Sequence, residues 1–277
     1  MCGIFGVGAK QESDVPQTLL KETVDRLFLL SESRGKEAAG VSVLSGDGIA
    51  VYKQPSSASA LIKAREYNRL FDDIFAAKEF PRLVMGHTRL VTNGSLEMNE
   101  NNQPVIKNGA VGIHNGIIVN DEELWGQFPS LKKEYEVDTE VLLGLIRMFL
   151  EQGCQLAEAV RQTFKHIEGS ASIGVLCKDK RYLVLATNTG SLYTCESARG
   201  PLFFFASELY ILQALLKNTS LQRAVGPYVL AQLKPGSGSL VDLETLETKI
   251  FSLFGEGALP QERQGGSPLS FAIKDRS

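Results

Sequence analysis

Apolar residues along this chain fall into two rhythms. Short β-branched or aromatic runs alternate with stretches in which apolar positions recur every three or four residues. The first run, Ile4 to Val7, predicts a strand. Asp14 and Pro16 mark a helix start, and Leu20, Val24, Leu27 and Phe28 form an apolar stripe ending near Gly35. Ala39 to Val43 and Gly48 to Tyr52 predict a hairpin around Ser45-Gly46-Asp47. A second helix is expected over Ser59 to Ala77, and Leu83 to Met85 predicts a short strand. The Asn-rich stretch Asn93 to Pro104 has no periodicity and predicts a loop.

The second half repeats the scheme. Val111 to Val119 predicts a strand interrupted by Asn115-Gly116. Asp138 precedes an apolar helix, Val141 to Leu150, closed by Gly153, and another helix follows from Gln155 to His166. Ser172 to Leu176, Arg181 to Ala186, Leu202 to Ala206 and Tyr228 to Leu233 predict strands, and Ser207-Glu208 caps a short helix through Leu216. Helices thus come in blocks between paired strands. That favours an α+β fold of antiparallel sheets with helices on their outer faces over a doubly wound parallel sheet. The segment from Gly255 to Ser277 is rich in Gly, Pro, Gln and Ser. It predicts a loosely ordered tail, 255–277, after one domain, 1–254.

Composition narrows the function classes. With 277 residues, 43% hydrophobic, the chain can bury a full core. Its 29 basic and 32 acidic residues give a net charge of -3, which offers no electrostatic case for nucleic acid. No apolar run has the length of a membrane span and no signal peptide is evident, so a cytoplasmic location is expected. Cys2, Cys154, Cys177 and Cys195 form no CxxC pair and read as free thiols of a reducing compartment. The histidines, His87, His114 and His166, lack zinc-ligand spacing, so neither a metal nor a cofactor is expected.

The candidate chemistry begins at Met1-Cys2-Gly3-Ile4-Phe5-Gly6. Methionine before a small residue is commonly trimmed, which would leave Cys2 with a free α-amine of pKa roughly 7.7–8.0. Nucleophile and base would then share one residue. The competing reading is a buried cysteine opening the first strand. An amide hydrolase of this kind also needs oxyanion donors, anchors for the charged end of its substrate and exclusion of water. Asn115-Gly116 supplies a side-chain amide and a backbone N–H, against the alternative of a hairpin turn. Arg89 can grip a carboxylate through two parallel bonds, or form a surface ion pair. Asp138 can hold an ammonium, although it stands where a helix N-cap belongs. Thr92 shares the loop of Arg89. Arg34-Gly35 reads as a basic last turn with a glycine stop. His87 and His114, flanked by apolar strand residues, read as core histidines.

Five motifs occur in order. They are Met1 to Gly6, Ser33-Arg34-Gly35-Lys36-Glu37-Ala38-Ala39-Gly40, Gly86-His87-Thr88-Arg89-Leu90-Val91-Thr92-Asn93-Gly94, Ile113-His114-Asn115-Gly116-Ile117-Ile118 and Val137-Asp138-Thr139-Glu140-Val141. Together they resemble the class II glutamine amidotransferases, whose glutaminase domain is an N-terminal-nucleophile hydrolase. The likeness covers residues 2 to 240 and is greatest to the glutaminase half of glucosamine-6-phosphate synthase, with amidophosphoribosyltransferase next. It implies a four-layer αββα sandwich of two stacked antiparallel sheets. It makes Cys2 the nucleophile with its own amine as base, and Asn115 and Gly116 the oxyanion hole. Arg89 would take the glutamine α-carboxylate and Asp138 the α-ammonium, with Thr92 and Asn93 in the same pocket and Arg34 and Gly35 in support. A lid within Asn93 to Pro104 would close over glutamine.

The chain departs from the sugar-synthase pattern at Leu90 and Asn93, where that family has Trp and His. The Trp lies near the path ammonia takes, so relay to an acceptor is in question. The implied activity is hydrolysis of L-glutamine to L-glutamate and ammonia, delivered to a separate acceptor enzyme or synthase subunit in trans. Two other readings stay open: a non-catalytic glutamine-sensing or regulatory module, and an N-terminal-nucleophile amidase for another amide. Retained Met1 would mark the first. Indifference to Arg89→Lys would favour the second.

Overall fold

The computed structural model describes residues 2–11, 14–46, 48–90, 95, 98–197, 200–255 and 272–277. The chain opens with β1 (Gly3–Ala9), α1 (Gln17–Ser31), the hairpin β2 (Ala38–Ser45) and β3 (Gly48–Gln54), α2 (Ala58–Leu61), α3 (Arg65–Ala76) and β4 (Leu83–Arg89). The hairpin β5 (Val105–Lys107) and β6 (Ala110–Ile118) follows, then α4 (Asp121–Gln127), α5 (Asp138–Glu151) and α6 (Leu156–His166). Next come β7 (Gly169–Cys177), β8 (Tyr182–Thr187), β9 (Tyr193–Ser197), β10 (Leu202–Ala206), α7 (Leu209–Leu215) and α8 (Thr219–Val225). The last strands are β11 (Tyr228–Gln232), β12 (Ser237–Asp242), β13 (Thr248–Ser252) and β14 (Ala272–Asp275).

These strands make two sheets. One has the order β11-β9-β10-β1-β4-β2-β3-β14, the other β13-β12-β8-β7-β6-β5. Period-two alternation sorts their side chains into three cores. Phe5, Val7, Val41 and Phe204 face outward from the first sheet onto Leu27 and Phe28 of α1, Tyr67 and Phe71 of α3, and Leu212 of α7. Ile4, Met85, Phe205, Ile113, Leu183 and Leu185 fill the space between the sheets. Ile173, Val175 and Val184 face outward from the second sheet onto Val141, Leu145, Val160 and Phe164 of α5 and α6. The fold is therefore an αββα sandwich. Strands buried on both faces explain why the pattern reads as short continuous apolar runs rather than alternation.

Four differences from the sequence expectation have local causes. The helix expected over Ser59 to Ala77 breaks between α2 and α3, where Ala64 is extended and Asn68 Nδ2 donates to the Ile62 and Ala64 carbonyls. Asn115-Gly116 neither turns nor interrupts its strand: β6 runs through it, with Asn115 opposite Ser172 and Gly116 opposite Ala171. Ser207 does not cap α7. Its hydroxyl accepts from the Ile4 N–H at 3.3 Å, and its own N–H donates to the Ile4 carbonyl at 2.8 Å, tying down the start of β1. Within the expected tail, Ala272–Asp275 form an edge strand parallel to β3, and Arg276 pairs with Asp73 at 2.9 Å.

Candidate functional site

Register brings the predicted residues to one end of the inter-sheet layer. In β1 and β4, Gly3 pairs with Thr88 and Ile4 with His87, which sets Cys2 beside Arg89. Ile4 and Met85 lie in the inter-sheet core, so Cys2 and Arg89, two and four residues along, share that inward face. Across the gap, Val111 and Ile113 of β6 point into the same layer, and the alternation carries Asn115 there too.

The Cys2 side chain is 8% exposed, and its thiol donates to the Leu90 carbonyl at 3.6 Å. Burial pushes the thiol pKa up, against the Leu90 contact and the Arg89 charge, and Asp138 pushes it further up. In this state the sulfur is therefore a protonated thiol. Arg89 is buried, its Nη1 donating to Asn102 Oδ1 at 2.6 Å; burial lowers its pKa, and the Glu37 and Asp138 carboxylates act against this. Gly35 supports this corner by close approach. A Cβ there would stand 2.5 Å from both the Arg89 carbonyl oxygen and the Leu90 nitrogen. Arg34 pairs with Glu208 at 3.1 Å, with its Nε and Nη2 buried and unpartnered among the described residues.

Asp138 is the first residue of α5, and no side chain caps that helix. The capping role is replaced by a contact to the sheet: Oδ2 accepts from the Ile118 N–H at 2.8 Å. Burial pushes its carboxyl pKa up, but the His114 ring and the Ile118 and Thr139 N–H groups outweigh this and leave it lowered. His114 Nε2 faces the Ser170 carbonyl at 3.3 Å, which assigns the proton to that nitrogen. Nδ1 lies 3.2 Å from the Thr139 hydroxyl and 3.6 Å from Asp138 Oδ1. The Asp138 carboxylate thus keeps its negative charge for a cation.

Asn115 is buried, with Oδ1 lacking a hydrogen-bond partner among the described residues. Gly116 has φ +155°, and an added Cβ would overlap the Ser170 carbonyl. Glycine is required for β6 to lie this close to β7. His87 is fully buried and neutral. Burial and the Arg89 charge hold its pKa at about 3, and although the His114 main chain acts in the opposite sense, neither ring nitrogen has a partner in hydrogen-bonding geometry among the described residues. Thr92 and Asn93 lie outside the described residues, as does part of the predicted lid.

Sequence reasoning missed Asn102, Gln103 and Thr139. Asn102 accepts from Arg89. Gln103 Oε1 accepts from the His114 N–H at 2.5 Å, while its Nε2 donates to Thr139 Oγ1 at 3.2 Å. The only signal for Asn102 and Gln103 was the Asn-rich composition of 93–104, read as a loop, and Thr139 stood in the fifth motif with no role given to it. In the structure Asn101, Asn102 and Gln103 are buried.

The family described as "Glutamine amidotransferase domain" matches residues 87–214. Glutamine–fructose-6-phosphate aminotransferase (isomerizing) of Staphylococcus aureus is 32% identical over 198 residues, 69% of this chain and 30% of that protein. The Clostridium perfringens protein of the same name is 33% identical over 196 residues, 69% of this chain and 29% of its own length. The solved glutamine phosphoribosylpyrophosphate amidotransferase of B. subtilis, complexed with ADP and GMP, superposes with TM-score 0.66 at 20% identity. It covers 91% of this chain and 49% of that one. The chain carries a class II glutamine amidotransferase domain. The αββα layering of this amidotransferase domain agrees with that neighbour's fold. The domain spans about 30% of the length of the curated relatives it matches. No helix among the described residues is long and apolar enough to cross a membrane.

Proposed function

We propose that this chain hydrolyses L-glutamine to L-glutamate and ammonia through a Cys2 γ-glutamyl thioester. The observation that carries the reading is the convergence of a buried thiol, a buried guanidinium, a charged carboxylate and the buried side-chain amide of Asn115 at one end of the inter-sheet layer. With Met1 removed, the Cys2 α-amine takes the thiol proton as sulfur bonds to the glutamine Cδ. The C=O electron pair moves onto oxygen, where the Asn115 side-chain amide and the Gly116 N–H receive it. Collapse of this oxyanion breaks the C–N bond, and the α-ammonium protonates the leaving amine. Water, giving its proton to the same amine, then attacks the thioester and frees glutamate. Arg89 holds the α-carboxylate and Asp138 the α-ammonium, so the scissile amide is oriented from its far end. Thr92 and Asn93 complete the pocket.

The relatives named as aminotransferases extend well beyond the matched region. We also propose a separate enzyme or synthase subunit as the ammonia acceptor, with residues 1–254 as the glutaminase domain of a cytoplasmic protein. The test is glutamate release together with labelling by a glutamine-like diazoketone. Cys2→Ala should abolish both. Activity that survives it, or labelling at another cysteine, overturns the mechanism. Glutamine binding without turnover by a chain that retains Met1 would identify a sensing module instead.

A further inference from the structure

Lys53 lies on the inner face of β3, in line with Ile49 and Val51 of the inter-sheet core, and is 3% exposed. A lysine ammonium has three N–H donors, and here each meets a main-chain carbonyl: Glu100 at 3.3 Å, Asn102 at 2.9 Å and Pro104 at 3.2 Å. No carboxylate lies within salt-bridge distance of it among the described residues. An ammonium held out of water by dipoles alone is costly unless its hydrogen bonds are complete, so the arrangement fixes those three carbonyls relative to the sheet. Return contacts tighten it. Asn99 Nδ2 donates to the Lys53 carbonyl at 2.9 Å, and Gly40, paired with Lys53 across β2 and β3, leaves room for Gln103.

The segment so gripped carries the contacts that orient both charged groups of the site. Asn102 Oδ1 is 2.6 Å from Arg89 Nη1, and Gln103 binds both the His114 N–H and Thr139 Oγ1, next to Asp138. We infer that Lys53 is the positioning residue for the α-amino-acid end of the substrate, setting Arg89 through Asn102 and Asp138 through Gln103 and Thr139. The inference rests on the glutamine reading above. It adds that recognition of the substrate's carboxylate and ammonium is built from the first sheet through one buried cation, separately from the thiol and the oxyanion donors.

Loosening this support displaces groups that bind glutamine but leaves Cys2, Asn115 and Gly116 on their own strands. The experiment compares the full chain with Lys53→Met and Asn102→Ala. It measures KM and kcat for glutamine, the rate of Cys2 labelling by a glutamine-like diazoketone, and the rate of alkylation by iodoacetamide, which has no α-amino-acid end. For Lys53→Met the expectation is a KM rise and a slowing of diazoketone labelling on the order of ten- to a hundredfold. kcat and the iodoacetamide rate should stay within about threefold. An unchanged KM overturns the inference, as does a matching fall of kcat and the iodoacetamide rate, which marks general damage. If Lys53→Met does not fold, Asn102→Ala must show the same selective rise in KM, and its absence is equally fatal. Failure of the parent reading looks different. A wild-type chain that binds glutamine without turnover ends the glutaminase assignment, and Lys53→Met must then weaken glutamine affinity by the same factor. A wild-type chain that neither turns over nor binds glutamine overturns both.

Discussion

Gly116→Ala is the perturbation whose cost is most directly set by the coordinates. The new methyl would stand 2.6 Å from the Ser170 carbonyl carbon and 2.7 Å from His114 Nε2, besides overlapping the Ser170 oxygen. Ordinary contact begins at 3.4 Å, and the obstruction is main chain, so no flexible side chain can swing aside. The β7 backbone must retreat by about 1.5 Å to clear the Ser170 oxygen, at a point where β6 and β7 are in continuous register, and such overpacking costs about 1–3 kcal/mol. Holding a non-glycine residue at φ +155° adds about 1–2 kcal/mol. The sum, about 2–5 kcal/mol, corresponds to a Tm lowered by about 4–20 °C for a domain of this size. Because the same displacement moves the two proposed oxyanion donors, Asn115 and Gly116, kcat should fall on the order of a hundred- to a thousandfold. Calorimetry and a coupled glutamate assay read the two effects separately. A Tm within about 2 °C of wild type refutes the packing argument. A lowered Tm with kcat unchanged refutes the assignment of Asn115 and Gly116 as oxyanion donors.

Other outcomes follow from buried charges. His87 has a folded pKa of about 3 against an ordinary 6.5, so the unfolded chain binds the extra proton first as pH falls. Unfolding free energy, whole above pH 6.5, should drop by about 1.4 kcal/mol per pH unit between about pH 6 and 4.5, and His87→Gln should flatten that limb; an unchanged slope refutes the assignment. Glu140 accepts from Lys107 Nζ at 2.7 Å and from the Glu134 and Tyr135 N–H groups at 2.8 Å each, with both charged side chains out of solvent. Glu140→Gln leaves Lys107 only the half-exposed Glu134 carboxylate at 3.2 Å and should cost about 1.5–3 kcal/mol, lowering Tm by about 3–12 °C, and a loss under about 2 °C would contradict this. For free Cys2, the iodoacetamide rate should titrate above the ordinary thiol value of 9.0, because burial disfavours the thiolate; an apparent pKa below it would show an activation absent from this geometry.

The sandwich was legible because its core positions are periodic and its motifs are contiguous. Ile4 to Val7, the β2–β3 hairpin and the apolar stripe of α1 announce themselves through local spacing. Cys2, Arg89, Asn115 and Asp138 each sit inside a recognisable motif. What stayed hidden depends on partners distant in sequence. Lys53, one residue past the expected strand Gly48 to Tyr52, carried no signal, because the carbonyls of Glu100, Asn102 and Pro104 come to it from about fifty residues away. Asp138 reads as a helix cap because a carboxylate at a helix start has that default use, and only the Ile118 N–H of a facing strand claims it instead. Asn115-Gly116 carries the local signature of a turn, overridden by nine consecutive pairs between β6 and β7. The parallel edge strand β14 lies beyond a segment whose composition conceals it.

The placement of β1 sets a schedule for making the protein. This first strand is flanked on one side by β4 and on the other by Leu202–Ala206 of β10. Its second wall therefore leaves the ribosome some two hundred residues after Cys2. At about 5–20 residues per second the opening dipeptide stays accessible for roughly 10–40 s, after which Cys2 is enclosed in the finished sheet. An aminopeptidase that removes Met1 has that interval in which to act. Expression conditions that outrun the peptidase would yield a folded fraction that keeps Met1, visible by intact mass.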